Sequence, residues 1–321
     1  MYLEVKNLVK YYHKKNPVIK KLNFSVDKGE IISFVGESGS GKTTFLKCLA
    51  GLENINSGTI ILNENIINND NTFIKPQQRK IGYVFQDYPL FPHLNILENI
   101  KFNLDKEYEI NLKKIISLTG LEQVLNRYPH EVSGGEQQRA CIARSIVREP
   151  DLLLLDEPFS NLDENIKFII RDEIYKIIKK LSITTILVTH DINDVLNISD
   201  RILIFKAGVL QQYSTPETMY CDPANCYCAE MLGDINKLSF KGKHYYIRPE
   251  NVKIVDESNY SFVVDKCFFQ GKEYRLIGSY NGNIWSLISD KPIKINTNVY
   301  FEFIEDDLIY FDKSCSSFFV K

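Results

Sequence analysis

The chain has 321 residues, enough for about two domains at ~100–200 residues each. Hydrophobic residues make up 44% and charged residues 25%, a globular composition with material for a sizeable core. Lys and Arg number 39 against 41 Asp and Glu, and this net charge of −2 supplies no global field toward nucleic acid or anionic lipid. No apolar run approaches the ~18 residues of a membrane helix. The opening MYLEVKNLVKYYHKK mixes charge with apolar groups and lacks the apolar stretch of a signal peptide. A chain kept in the reducing cytoplasm is expected, with its seven cysteines as thiols. Cys221, Cys226 and Cys228 cluster but match no zinc spacing.

Up to about residue 235, strand-like and helix-like segments alternate. Residues 31–35 (IISFV) read as a buried strand, and 54–71, rich in Asn, as a short β excursion with a surface loop. IGYVFQ, residues 81–86, is strand-like, and EQQRACIARSIV, from residue 136, is helix-like. LLLL at 152–155 reads as a second buried strand. Residues 166–181 repeat Ile and Leu at helical spacing, and 185–189 form a third strand. This is an α/β pattern with crossover helices, whose ligands sit at the carboxyl ends of the strands. Beyond about residue 238 the helical patterns stop. Aromatic and β-branched runs separated by Gly or Asn predict a small all-β unit over 240–321.

Directly after the first strand, GESGSGKT (residues 36–43) satisfies G-x-x-x-x-G-K-[ST] and opens a helix-compatible run. Glycines let backbone N–H groups wrap phosphates, and the helix N-terminus favours their charge. Gly36, Glu37, Ser38, Gly39, Ser40, Gly41, Lys42, Thr43 and Thr44 are the expected nucleotide-binding set. Lys42 would reach the β- and γ-phosphates, and the Thr43 hydroxyl would bind Mg²⁺. Asp156 and Glu157 close the strand 152–155 beside that site, Asp156 suited to Mg²⁺ and Glu157 to polarising a water. Adjacent carboxylates raise one another's pKa unless metal or donors offset them, which suits a general base.

These motifs are shared by many nucleotide hydrolases. VSGGEQQR, residues 132–139, discriminates: it resembles the signature sequence of the ATP-binding-cassette ATPases and lies between the other two motifs, in that family's order. The resemblance covers residues 1–235. It implies a P-loop cassette with an antiparallel β subdomain and a helical subdomain at about 87–147. It also implies that Tyr12, or the adjacent Tyr11, stacks on adenine. Gln86 resembles the glutamine that contacts Mg²⁺ and the attacking water. Ser133, Gly134, Gly135 and Glu136 form the signature, Ser160 and Asp163 of SNLD resemble the D-loop, and His190 resembles the switch histidine. The implied catalytic set is Glu157, His190, Gln86 and Lys42, with Thr43, Gln86 and Asp156 on the metal. The sequence departs from the family pattern at Val132, Glu136, Glu37 and Asn161, where Leu, Gln, Pro and Ala are commoner.

One chain thus carries two anion-binding helix starts but one phosphate loop. The resemblance resolves this by pairing two copies head to tail, the signature of one closing on ATP held by the other. QDYPLFPHL, residues 86–94, is similar to the importer segment that receives a membrane subunit's coupling helix. YYIRPENVKI, residues 245–254, resembles the transport-associated OB-like (TOBE) domain of importer ATPases. The implied function is the ATPase subunit of a binding-protein-dependent importer, peripheral on the cytoplasmic face of the inner membrane. Its implied partners are a second copy, integral-membrane permease subunits and, indirectly, an extracytoplasmic solute-binding protein. The wording is most similar to the ferric-iron and polyamine branch, with ferric iron the expected solute and polyamine, sulfate or molybdate the alternatives. A soluble ATPase acting on nucleic acid is the competing class, with Tyr260, Phe262, Phe268, Phe269 and Trp285 as a stacking platform rather than barrel core. The acids at residues 302–307 oppose that reading, and no nucleic-acid partner is expected.

Overall fold

The computed structural model describes residues 1–13, 16–160 and 162–311, so Asn161 lies outside the described residues. The chain divides into two units, Met1–Pro216 and Glu217–Lys321.

The first unit enters through β1 (Leu3–His13) and β2 (Asn16–Val26), then passes along β3 (Ile31–Val35) into α1 (Lys42–Ala50). The hairpin β4 (Ser57–Leu62) and β5 (Asn65–Asn68) pairs back on β1, giving an antiparallel sheet ordered β2-β1-β4-β5. The Asn-rich excursion of the sequence is this hairpin. Next come β6 (Ile81–Val84), α2 (Ile96–Lys101), α3 (Glu109–Thr119) and α4 (Gly134–Ile146). They lead to β7 (Leu152–Asp156), α5 (Glu164–Leu181), β8 (Thr185–Val188), α6 (Ile192–Ile198) and the hairpin β9 (Arg201–Lys206)–β10 (Val209–Ser214). The second sheet runs β10-β9-β3-β8-β7-β6, parallel apart from β10.

The apolar runs at 31–35 and 152–155 are unbroken because helices or a sheet cover both faces of these strands. Successive residues serve opposite cores. Ile31, Leu153, Leu155 and Leu187 pack with α4, through Ala140, Ile142, Ala143 and Ile146, and with α5, through Ile170, Ile174 and Ile177. Ile32, Phe34, Leu152, Leu154, Ile186 and Val188 pack with α1, through Phe45, Leu46 and Leu49, and with the antiparallel sheet. Helices α2–α4 fill the interval between β6 and β7, where the helical subdomain was expected.

The second unit holds α7 (Pro216–Cys221), α8 (Cys226–Met231) and eight described strands. These are β11 (Asn236–Phe240), β12 (Lys243–Ile247), β13 (Val252–Val255), β14 (Tyr260–Phe269), β15 (Tyr274–Tyr280), β16 (Asn283–Ser289), β17 (Asn298–Phe303) and β18 (Ile309–Tyr310). All pairings are antiparallel, in sheets β11-β12-β18 and β13-β17-β14-β15-β16. The turn from β15 to β16 is Asn281-Gly282, both at positive φ (46° and 75°), as a two-residue hairpin requires.

The division falls at the start of α7, between Pro216 and Glu217, rather than at 235–240, where the composition changes. Arg248 explains this: its Nη1 donates to the carbonyls of Ala229 (3.0 Å), Gly233 (3.0 Å) and Asp234 (3.1 Å), and its guanidinium lies 4.1 Å from the Tyr220 ring centroid. This arginine of the I-R-P-E segment therefore ties the two helices to the β unit, although their periodicity resembles that of the first unit.

Of the five aromatics considered for stacking, Phe262 and Trp285 are fully buried beside Phe301, whereas Phe268 and Phe269 are exposed. The Trp285 ring centroid is 5.0 Å from that of Phe301, and its Nε1 donates to the Lys237 carbonyl at 2.7 Å. Trp285→Ala is expected to cost about 3–5 kcal/mol, read as an early melting step of the second unit while ATP binding by the first persists. Cys48, Cys141, Cys221, Cys228 and Cys267 are free thiols. Among the described residues no group of His, Cys, Asp and Glu could hold a metal as a cluster of three, and no helix is long and apolar enough to cross a membrane.

Candidate nucleotide site

Strands β3, β8, β7 and β6 point the same way, and their registers align: Phe34 pairs with Val188, Val188 with Asp156, and Leu155 with Val84. The loops leaving their carboxyl ends therefore emerge along one sheet edge. They carry, in spatial order, residues 36–41, His190, Asp156 with Glu157, and Gln86. Segments far apart in sequence meet because each crossover returns the chain to the same edge.

The phosphate loop is shaped by close backbone approach. A Cβ at Gly36 would lie 2.2 Å from the Phe205 carbonyl, and Gly41, at φ +111°, would put one 2.9 Å from the Val18 carbonyl. No side chain caps α1 at Gly41, so its first N–H groups face the loop. Lys42 is buried, and its Nζ donates to the carbonyls of Gly36 (2.6 Å) and Glu37 (2.9 Å) across the loop. Burial lowers its pKa, and the charges of Glu157, Asp156 and Glu37 oppose that shift. Ser40 Oγ is buried without a hydrogen-bond partner, whereas Glu37, Ser38 and Gly39 are exposed. Tyr12 reaches the far end of the loop, its hydroxyl 3.5 Å from Thr44 Oγ1, and its ring is half exposed with Lys10 Nζ 5.1 Å from the centroid. Tyr11 instead donates its backbone N–H to Asn56 Oδ1.

Asp156 sits between Thr43 and Tyr83, whose hydroxyls donate to its Oδ1 (3.3 Å) and Oδ2 (3.0 Å). Burial raises its pKa, and Glu157 adds to that, while the two hydroxyls oppose it. Glu157 follows at φ +47°, a left-handed conformation uncommon for a residue with a side chain. Its N–H donates to the Val188 carbonyl (2.8 Å), and its own carbonyl accepts from Ser160 N (3.2 Å) and Oγ (2.9 Å). The carboxylate lies 3.4 Å from His190 Nδ1. Gln86 is exposed just beyond β6, and Asp163 stands at the N-cap position of α5 without a side-chain capping hydrogen bond.

The signature lies elsewhere. Ser133 caps α4, and Glu136 reaches back to it, so the Ser133 N–H and hydroxyl both donate to Glu136 Oε2 at 2.8 Å. A Cβ on Gly134 would lie 3.6 Å from Leu162 of the SNLD segment. α1 and α4 pack on opposite faces of the parallel sheet, so the two helix starts expected to bind anions belong to different faces of one chain.

Sequence reasoning missed three contributors. Tyr83 holds Asp156, and the alternation in IGYVFQ was its signal. Tyr88 donates its hydroxyl to the Pro158 carbonyl, joining the segment after Gln86 to the segment after Glu157. Arg171 lies 2.5 Å from Asp194 through Nε and 3.5 Å from Asp191 through Nη2, and Thr189 donates to Asp194 at 2.7 Å, so α5 braces the loop of His190. No local pattern marks such contacts, because they join separate segments.

A profile of the family described as ABC transporter matches residues 19–160. The spermidine/putrescine import ATP-binding protein PotA of Clostridium novyi (strain NT) is 34% identical over 339 aligned positions, covering 95% of this chain and 96% of the relative. The Fe(3+) ions import ATP-binding protein FbpC of Haemophilus influenzae (strain 86-028NP) is 40% identical over 238 positions, covering 72% and 68%. Among solved structures, the dimeric post-hydrolysis state of the ATP-binding cassette MJ0796 bound to ADP and Pi superposes with a TM-score of 0.57 at 28% identity. That match covers 67% of this chain and 98% of the cassette.

Proposed function

Because the chain belongs to the ABC transporter family, we propose that it is the ATPase subunit of a solute importer, working as a head-to-tail pair of copies docked on membrane permease subunits. The observation that carries this reading is the separation of α1 and α4 on opposite faces of one sheet. Each chain holds ATP on one helix start and offers the other to its partner's ATP. The dimeric cassette described above, bound to ADP and Pi, supports the pairing. The second unit acts as the TOBE-like regulatory domain, and an extracytoplasmic binding protein delivers the solute.

In this reading the phosphate loop and α1 hold the triphosphate. Lys42 moves its donors from the Gly36 and Glu37 carbonyls to the β- and γ-phosphates, and Tyr12 stacks on the base. Glu157 polarises the attacking water, His190 beside it steadies the γ-phosphate, and Ser133 and Gly135 of the second copy complete the site. Most of the catalysis is positioning and charge stabilisation. Mg²⁺ fits the donors present, since Thr43 Oγ1 and Asp156 Oδ1 are oxygens 3.3 Å apart and Gln86 adds an amide oxygen. When bound, the ion neutralises charge on the phosphates.

The solute follows from lineage, since the ATPase does not touch it. Ferric iron is the reading of the cassette motifs. Polyamine is favoured by a separate observation, the 34% match to PotA over 95% of this chain, second unit included. Uptake of radiolabelled iron and spermidine by cells carrying the chain with its neighbouring permease, against cells carrying Glu157→Gln, decides between them. ATP-dependent uptake of neither, with hydrolysis stimulated by DNA or RNA, would overturn the importer reading.

A further inference from the structure

We propose that the Glu136 carboxylate is a built-in competitor of the partner's γ-phosphate, setting how much ATP is needed to close the pair. The inference rests on the head-to-tail reading above. A serine hydroxyl has one proton to donate. Here it goes to Glu136 Oε2 at 2.8 Å, the Ser133 N–H goes to the same oxygen at 2.8 Å, and Glu136 N–H returns to Ser133 Oγ at 3.3 Å. The N–H and the hydroxyl of Ser133 are thus both committed to a group of the same chain. A phosphate arriving from the second copy must displace that carboxylate from the hydroxyl, and it meets a negative charge on the helix end that would otherwise favour its own.

Glu136 keeps that charge. Burial pushes its pKa up, but the two Ser133 hydrogen bonds and the cations Arg139 and Arg127 outweigh burial and hold it below the ordinary carboxylate value. A glutamine at this position would still offer an oxygen to Ser133 but would oppose the phosphate with no charge. The departure of the sequence from the commoner Gln therefore raises the threshold for closure rather than removing a ligand.

The test uses the full chain in a Glu157→Gln background, so that bound ATP is not consumed. Sedimentation velocity follows dimer formation against Mg²⁺–ATP concentration, with Glu136 intact or changed to Gln. The expected result is half-maximal dimer at about fivefold less ATP for Glu136→Gln, the scale of one like-charge contact at about 4 Å screened by water, with the gap narrowing as salt rises. Glu136→Ser, a second uncharged variant, should move the same way. The melting temperature of the ATP-free variants should be unchanged or lower, because a purely structural cap would weaken both the helix and the dimer when lost. An unchanged or increased ATP requirement, while the parent dimerises normally, would overturn the role of Glu136 alone. A parent that stays monomeric at saturating ATP would instead overturn the head-to-tail reading and this inference with it.

Discussion

Glu157→Gln is expected to bind ATP with near-normal affinity, to lose about 10²–10⁴-fold in turnover, and to accumulate as a closed dimer with ATP trapped in it. The backbone argues that the loss is chemical. Glu157 is held at φ +47° by its N–H on Val188 and by Ser160 on its carbonyl, none of which involves the carboxylate. The amide is isosteric, so β7, Asp156 and the contacts of Thr43 and Tyr83 stay in place. What is lost is the charged acceptor beside His190 that would draw a proton from water. Filter binding of labelled ATP, phosphate release and size-exclusion chromatography measure the three outcomes. Hydrolysis at the normal rate would remove Glu157 from its role and return attention to Asp156.

Lys42→Ala is expected to fail one step earlier. The ammonium donates to the Gly36 and Glu37 carbonyls and so bridges the loop before ATP arrives. Removing it deletes the charge offered to the phosphates and leaves those carbonyls without their donor. Hydrogen bonds to charged groups contribute about 1.5–3 kcal/mol each, so ATP affinity should fall ~10–150-fold and turnover should be abolished. Titration calorimetry and phosphate release check both effects. Because Lys42 is buried at the start of α1, circular dichroism and melting must accompany them. Near-wild-type affinity in a folded variant would mean that the loop backbone and helix end hold the triphosphate by themselves.

The phosphate loop was legible because its chemistry is contiguous: glycines at set positions, then a lysine, between a strand and a helix. The acids of β7 were legible for the same reason, as was the alternation of strands and helices, since covering both faces of a parallel sheet produces unbroken apolar runs. Glu136 was visible as a departure, and its hydrogen bonds to Ser133 form the local S-x-x-E capping box, which needs no contact from a distant segment. Tyr83, Tyr88 and Arg171 were invisible as site residues, because each acts on a segment brought beside it by the fold.

The division into units shows the same limit. Composition placed the change near residue 235, yet Arg248 gathers the helices from Glu217 onward to the β unit through three carbonyls. By itself the sequence determined the element types, the phosphate loop, the strand-end acids and the α/β then all-β order, because those follow from local periodicity and contiguous motifs. The tertiary structure alone decided the strand order that lines up Phe34, Val188 and Asp156 and the opposite placement of α1 and α4. Those depend on which segments pack side by side, a long-range choice made by the two cores that sandwich one sheet.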